Sequence, residues 1–239
     1  MKNIFLLLKK YCFFIFLFSS SLLISCSSQK SKNPYKLFSK NNVNNQSINL
    51  TNLRINLLKA DKNLTPKLIR NKNGTSFYRY IKKHDEGEIP LEEIKKRVSL
   101  GPDFYKNDRE EVINLLTRIN ELKINNKLEY IDSGALGLWI PGENSIVINY
   151  QVIEMGSSTF LDVLSHEVIH VAQSCFSGSR NKFPKRIGLP LEYSKDLNLN
   201  LNHKLYSKKS EDVINLEREA FTYSKVKGVA IKLLNNFCE

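Results

Sequence analysis

Apolar residues recur at helical spacing in three segments of the chain. A helix over residues 107–123 would bury one face, composed of Val112, Leu115, Leu116, Ile119 and Leu122. Residues 159–173 repeat the pattern with a longer apolar stripe, and residues 211–234 predict a final helix. The apolar faces of these helices are predicted to form the core.

Three short apolar runs lie between the first and second of these helices, at residues 128–131, 136–141 and 145–150. Gly142, Glu143 and Asn144 form a predicted turn between the last two runs. Short apolar runs separated by turn residues predict strands, here an antiparallel meander. The order of elements predicts an α+β fold, in which a small antiparallel sheet precedes a long helix and a C-terminal helix.

The second helix contains the clearest chemical signal, the sequence His166-Glu167-Val168-Ile169-His170. Residues four apart lie on one helix face, so the two imidazoles could bind a single ion. Glu167 flanks that ion and could act on a water bound there, which is the position of a general base. The alternative is a core helix whose two histidines form ordinary hydrogen bonds and bind no metal. The Asp162 carboxylate lies in the first turns, where it could interact with the positive end of the helix dipole. Alternatively, it could accept a hydrogen bond from the His166 imidazole and orient that ring.

The chain begins with the features of a secretion signal: positive charges, an apolar run and small residues. The sequence Leu22-Leu23-Ile24-Ser25-Cys26 resembles the lipobox of bacterial lipoproteins. This resemblance implies that residues 1–25 are removed and that Cys26 carries a lipid anchored in a bacterial membrane. The alternative is an uncleaved transmembrane anchor. In both cases the rest of the chain is expected outside the cytoplasm.

Residues 26–59 are rich in Ser, Asn, Gln and Lys, which predicts a flexible polar tether and leaves residues 60–239 as the folded domain. Apolar residues reappear from Ile48, so order could begin there. Loss of Lys2, Lys9 and Lys10 with the signal lowers the formal net charge from +12 to +9. The lysines are scattered along the chain, so no nucleic-acid partner is expected. Attraction to an anionic membrane surface is a secondary consequence.

A small sheet followed by a helix with the His-Glu-x-x-His sequence resembles the zinc metallopeptidases called zincins. The resemblance implies a Zn²⁺ ion bound by His166 and His170, with Glu167 as the general base for metal-activated water and a peptide or protein as substrate. It also implies an edge strand that holds an extended peptide by β-augmentation. The candidate edge strand is Ile146–Tyr150. The alternative, which the sequence favours equally, is that these residues form a core strand with no role in substrate binding.

A catalytic zinc usually has three protein ligands, and the third must come from outside the motif. The longer metzincin pattern is missing after His170. Glu217, three residues before Ala220, looks like the ligand helix of gluzincins, which implies Glu217 as the third ligand. Glu219 and Glu192 are alternatives, and the two acids of the helix could also simply pair with nearby cations.

Four side chains are candidates for stabilising the transition state: His203, Tyr193, Tyr206 and Tyr223. Two other functions remain open at this stage. One is a non-catalytic lipoprotein that uses a zincin fold for binding or for a structural metal, although such a protein would not need Glu167. The other is an amidase that acts on cell-wall peptides.

The predicted signal sequence and lipid anchor account for two of the four cysteines. Cys12 is lost with the signal and Cys26 is used by the lipid, which leaves Cys175 and Cys238. Disulfides persist outside the cytoplasm, so this pair is predicted to form one and to tie together the two helices that carry the ligands. The alternative is two separate thiols.

Overall fold

The computed structural model describes residues 47–81, 87–202, 206 and 208–238. These residues form two compact units, one of residues 64–104 and one of residues 47–63 and 105–238. The proposed signal sequence and Cys26 lie outside the described residues. Among the helices that are described, none is long and apolar enough to span a membrane.

The smaller unit contains a hairpin and a helix. Strands β1 (Lys67–Arg70) and β2 (Ser76–Arg79) pair antiparallel. Helix α2 (Leu91–Leu100) follows Pro90, whose fixed φ suits the start of a helix. A 3₁₀ turn over Gly101–Tyr105 leads out of this unit.

The larger unit is built around one long helix, α5. Its helices are α1 (Leu50–Leu64), α3 (Lys106–Glu121), α4 (Gln151–Glu154), α5 (Gly156–Phe176), α6 (Lys195–Leu201), α7 (Glu211–Ser224) and α8 (Val229–Phe237). Helix α5 packs against α3, α7 and α8. Its apolar residues Phe160, Leu164, Val168 and Ile169 are fully buried. The central position of α5 explains why its apolar stripe is wider than that of a surface helix.

The helices predicted from the sequence are confirmed, with one correction at the C-terminus. The expected single helix over residues 211–234 is two helices, α7 and α8. The break occurs at Gly228, whose φ of 73° is left-handed and cannot continue an α-helix.

The three-stranded sheet of the larger unit differs from the predicted meander. Its strands are β3 (Asn125–Glu129), β4 (Gly137–Ile140) and β5 (Ser145–Asn149), in the spatial order β3-β5-β4. Strand β5 is antiparallel to β4 but parallel to β3. The fold is therefore α+β with a mixed small sheet rather than a purely antiparallel one.

The assignment of Ile146–Tyr150 as the edge strand is wrong. All five residues of β5 are buried, and a strand buried on both faces is more stable with a neighbour on each side. Strand β4 takes the edge position next to α5 instead.

The expected tether ends earlier than residue 59. Helix α1 starts at Leu50, and its Leu53 and Leu57 are buried in the core. The backbone N–H of Ile48 donates to the backbone carbonyl of Asn126 in β3. Leucines four apart on one helix face supply enough apolar surface to order this segment, so the folded unit begins by Ile48.

Candidate metal centre

Helix α5 brings His166, Glu167 and His170 together in the protein interior. Each of the three is at most 7% exposed. The two histidine rings stand edge to face, and their Nε2 atoms are 3.1 Å apart. This is the arrangement expected when two histidines one helical turn apart converge on one point.

The start of α5 is fixed by a carboxylate from α1. Asp61 is fully buried and accepts hydrogen bonds from the backbone N–H and the hydroxyl of Ser157, at 2.8 and 2.6 Å. Arg109 of α3 pairs with the same carboxylate at 2.5 Å. A negative charge at a helix N-terminus is stabilising, so Asp61 anchors the helix that carries the histidines.

Glu217 of α7 completes the group. Its carboxylate Oε2 lies 3.2 Å from Nε2 of His166 and 3.4 Å from Nε2 of His170. One turn further along α7, Ala220 is fully buried, and its small side chain allows the two helices to approach closely. His166, His170 and Glu217 form a group that could hold a metal ion.

The separations of these three atoms fit a tetrahedral ion. Nitrogen and oxygen ligands at about 2.0–2.1 Å from tetrahedral zinc lie roughly 3.3–3.4 Å from one another. The observed separations are 3.1, 3.2 and 3.4 Å. Two imidazoles and one carboxylate are also a donor set that zinc accepts, and three protein ligands leave one position open.

The charges of His170 and Glu217 influence each other's pKa. Burial lowers the pKa of His170, but the charge and hydrogen bond of Glu217 outweigh this effect and raise the pKa to about 9. Burial raises the pKa of Glu217, yet His170 and His166 hold it well below its usual range. Without a metal ion, the pair is therefore a protonated histidine beside a carboxylate at neutral pH.

Glu167 lies against the edge strand β4. The backbone N–H of Trp139 donates to its carboxylate. A Cβ atom at Gly137 would lie only 2.7 Å from Oε1 of Glu167, so the carboxylate occupies space that only a glycine leaves free. Burial raises the pKa of Glu167, and the two histidines and the Trp139 N–H oppose that rise.

Tyr206 is the aromatic candidate that reaches the ligands, since its hydroxyl forms a hydrogen bond with Glu217. Burial and the charges of Glu217 and Glu167 raise the pKa of Tyr206, which keeps the phenol protonated as a donor. Tyr223 instead donates to the carbonyl of Pro190, and Tyr193 is exposed and stacks on Arg218. His203 lies outside the described residues.

The two alternative third ligands have other surroundings. Glu219 is fully buried on another face of α7, where it accepts hydrogen bonds from the backbone of residues 187–189. Glu192 is exposed and is not part of the group that could hold a metal ion. Neither belongs to the set formed by Glu217 with the histidines. Asp162 does not orient His166, because Nδ1 of that ring is buried without a hydrogen-bond partner.

Cys175 and Cys238 are joined in a disulfide, with their Cα atoms 5.4 Å apart. Cys175 lies in the last turn of α5, and Cys238 directly follows α8. The bridge therefore ties α5, which carries His166 and His170, to the C-terminal helix α8, which packs on it, rather than to α7, which carries Glu217.

Sequence reasoning missed several residues of the site. Gly137 lies within the strand predicted over residues 136–141, where an isolated glycine indicates close approach of another group. Gln173 is a polar residue in the buried stripe of α5, and such a residue requires a hydrogen-bond partner. These two signals were present in the sequence. Asp61 gave none, since a single acid on the apolar face of α1 belongs to no motif.

Comparison with known proteins adds no relative from which a function could be transferred. No family model matches the chain, and neither a curated protein nor a solved structure matches it.

Proposed function

We propose that this protein is a zinc-dependent peptidase of the zincin type, with a peptide or protein as its substrate. The observation that carries the proposal is the convergence of His166, His170 and Glu217 at separations suited to tetrahedral zinc. The presence of Glu167 on the same buried turn favours an enzyme over a structural metal site, which needs no general base. The order of small sheet, α5 and α7 supports the zincin assignment.

A zinc ion held by the three ligands would polarise a substrate carbonyl and lower the pKa of a water molecule in the open position. Glu167 would accept a proton from the attacking water and donate it to the departing amine. A buried carboxyl with a raised pKa is suited to both transfers near neutral pH. The Trp139 N–H holds the carboxylate in place, and Tyr206 is the proposed donor to the oxygen that becomes negative.

The edge strand β4 is the proposed binding site for an extended substrate, in place of β5. Among the described strands its one partner is β5. The carbonyl of Leu136 accepts from Asn149 on the β5 side, whereas the N–H of Trp139 is directed at Glu167. Backbone groups alternate between the two sides of a strand, so those of Gly137 and Trp139 face away from β5. A peptide paired along this edge would pass beside Glu167.

The proposed location is outside the cytoplasm, with lipid on Cys26 as the membrane anchor. The Cys175 to Cys238 disulfide supports that location, because disulfides persist in oxidising compartments. Cleavage would then take place near a membrane surface.

The test compares the full chain with two variants, measuring bound zinc and hydrolysis of fluorogenic peptides. Glu167→Gln should keep zinc and lose on the order of 10²–10⁴ in rate. Glu192→Gln removes an exposed carboxylate and serves as the control, with zinc and rate unchanged. Full activity in Glu167→Gln would refute the mechanism.

The same assay separates the other two functions. Zinc bound without hydrolysis of any peptide would indicate a non-catalytic metal protein. Hydrolysis restricted to cell-wall peptides would indicate an amidase.

A further inference from the structure

A buried side chain on α5 links the ligand His170 to α7. Gln173 is fully buried, three residues after His170 on the same helix. Its Oε1 lies 2.7 Å from Nδ1 of His170. Its Nε2 lies 2.8 Å from Oε2 of Glu219 and 3.3 Å from the carbonyl of Leu216.

Glu219 is surrounded by donors. Its Oε2 accepts from the N–H of Ile187 as well as from Gln173, and its Oε1 accepts from the N–H groups of Gly188 and Leu189, each backbone bond at 2.9 Å. A carboxylate that accepts four hydrogen bonds in the interior offers no proton in return. It therefore requires a donor from Gln173.

This requirement fixes the proton on the metal ligand. Because a carboxylate and a carbonyl face one end of the Gln173 amide, that end is the NH₂ group, and the oxygen must face His170. An amide oxygen can only accept, so Nδ1 of His170 carries a hydrogen. The lone pair of a neutral His170 ring is then on Nε2, which is the atom that faces His166 and Glu217.

We infer that Gln173 and Glu219 are positioning residues that hold His170 in the form able to bind a metal through Nε2. The inference rests on the metal site of the proposed function but not on peptidase activity. It assigns a role to a buried acid that is too far around α7 to act as a ligand. His166 has no such support, since its Nδ1 atom has no hydrogen-bond partner.

Glu219→Gln is the most direct perturbation, because it replaces one carboxylate oxygen with an NH₂ group and leaves the size unchanged. Four donors then compete for a single oxygen, so the NH₂ group of Gln173 loses its shorter hydrogen bond and keeps only the carbonyl of Leu216, at 3.3 Å. The amide is then free to turn its oxygen towards position 219. In the turned amide the NH₂ group would face Nδ1 of His170 and favour the form with hydrogen on Nε2, which cannot bind a metal through Nε2. Loss of a group that orients a metal ligand typically weakens metal binding about 10–100-fold.

The experiment measures the zinc dissociation constant of the full chain by competition with a chelator. Glu219→Gln should raise it about 10–100-fold, whereas Glu192→Gln, with the same loss of charge at an exposed position, should leave it unchanged. The exchanged pair Gln173→Glu with Glu219→Gln should restore it to within about threefold, because a carboxylate at position 173 again accepts from Nδ1. Nitrogen NMR of the zinc-loaded wild type and exchanged pair should show hydrogen on Nδ1 of His170.

The outcomes distinguish failure of the proposed function from failure of the inference about Gln173 and Glu219. Wild-type protein that binds no zinc would overturn the proposed function. Zinc binding by wild type with an unchanged dissociation constant in folded Glu219→Gln would overturn the inference alone, as would a folded exchanged pair that binds weakly. If the substitutions of Glu219 prevent folding, Gln173→Met removes the acceptor while leaving Glu219 its backbone donors. It must then weaken zinc binding to the same extent, and unchanged binding would refute the inference.

Discussion

Substituting Gly137 with alanine should disable the proposed general base, Glu167, without removing the proposed metal ligands. The new Cβ would lie 2.7 Å from Oε1 and 2.8 Å from Cγ of Glu167, and 2.9 Å from Cγ1 of Val163. Such approaches must be relieved by movement of about 0.5–1 Å, since carbon contacts are favourable near 3.5–4.0 Å. Strand β4 cannot easily retreat, because the Trp139 indole donates to Ser174 of α5 at 2.9 Å.

The expected losses can be estimated from this geometry. Overpacking a filled interior costs about 1–3 kcal/mol of folding free energy. Misplacing a catalytic group by about 1 Å can cost on the order of 10² in rate. Gly137→Ala should therefore lower kcat about 100-fold and reduce Tm, while the zinc content stays stoichiometric.

Gly142→Ala is the matched control, since a Cβ there meets no atom within 4 Å. The assay is peptide hydrolysis by the full chain, with zinc content and Tm measured on the same samples. A Gly137→Ala protein with wild-type kcat would refute the proposed contact between β4 and the base. Loss of zinc together with activity would show that the substitution acts on the ligands instead.

Three further predictions concern the ligands and the proposed donor. Glu217→Ala should reduce zinc occupancy far more than Glu219→Ala, because of these two acids only Glu217 contacts the histidines. Metal analysis of both variants measures the occupancy, and the reverse order would show that the assignment is wrong. Tyr206→Phe should lower kcat by on the order of 10²–10³ with little change in zinc affinity, as expected for loss of a transition-state donor; an unchanged kcat would exclude Tyr206 from that role. Zinc affinity should rise about tenfold per pH unit between pH 6.5 and about 9 and then level off, because binding must displace the proton that Glu217 holds on His170. A chelator titration that shows no pH dependence over this range would contradict that proton balance.

The helices and the ligand pattern could be predicted from the sequence because they depend on local spacing. Two histidines four apart share a helix face wherever the helix lies. The choice of Glu217 over Glu219 rests on the resemblance to the ligand helix of gluzincins, together with the small residue at position 220 on the same helix face as Glu217. The structure assigns the two acids to different faces of α7, as that spacing requires.

The strand order could not be obtained in the same way. Local pattern indicates that Ser145–Asn149 is a strand but does not reveal which strands flank it. That choice depends on how much apolar surface the remaining elements can cover. The burial of all five residues explains the central position of β5, and β3 and β4 take the two edges.

Asp61 shows a second limit of sequence reasoning. It lies in α1 and has no motif around it, yet it anchors the start of α5 through Ser157, 96 residues away. A contact between positions so distant in sequence depends on the packing of α1 and α3 against α5. No periodic pattern in a single chain encodes it.

The most direct test of the metal centre is diffraction from crystals of the full chain grown with zinc, recorded on both sides of the zinc absorption edge. The predicted result is one anomalous peak about 2.0–2.1 Å from Nε2 of both His166 and His170 and within bonding distance of the Glu217 carboxylate. A map without a peak among these three residues, or with the zinc bound elsewhere, would contradict the proposed site.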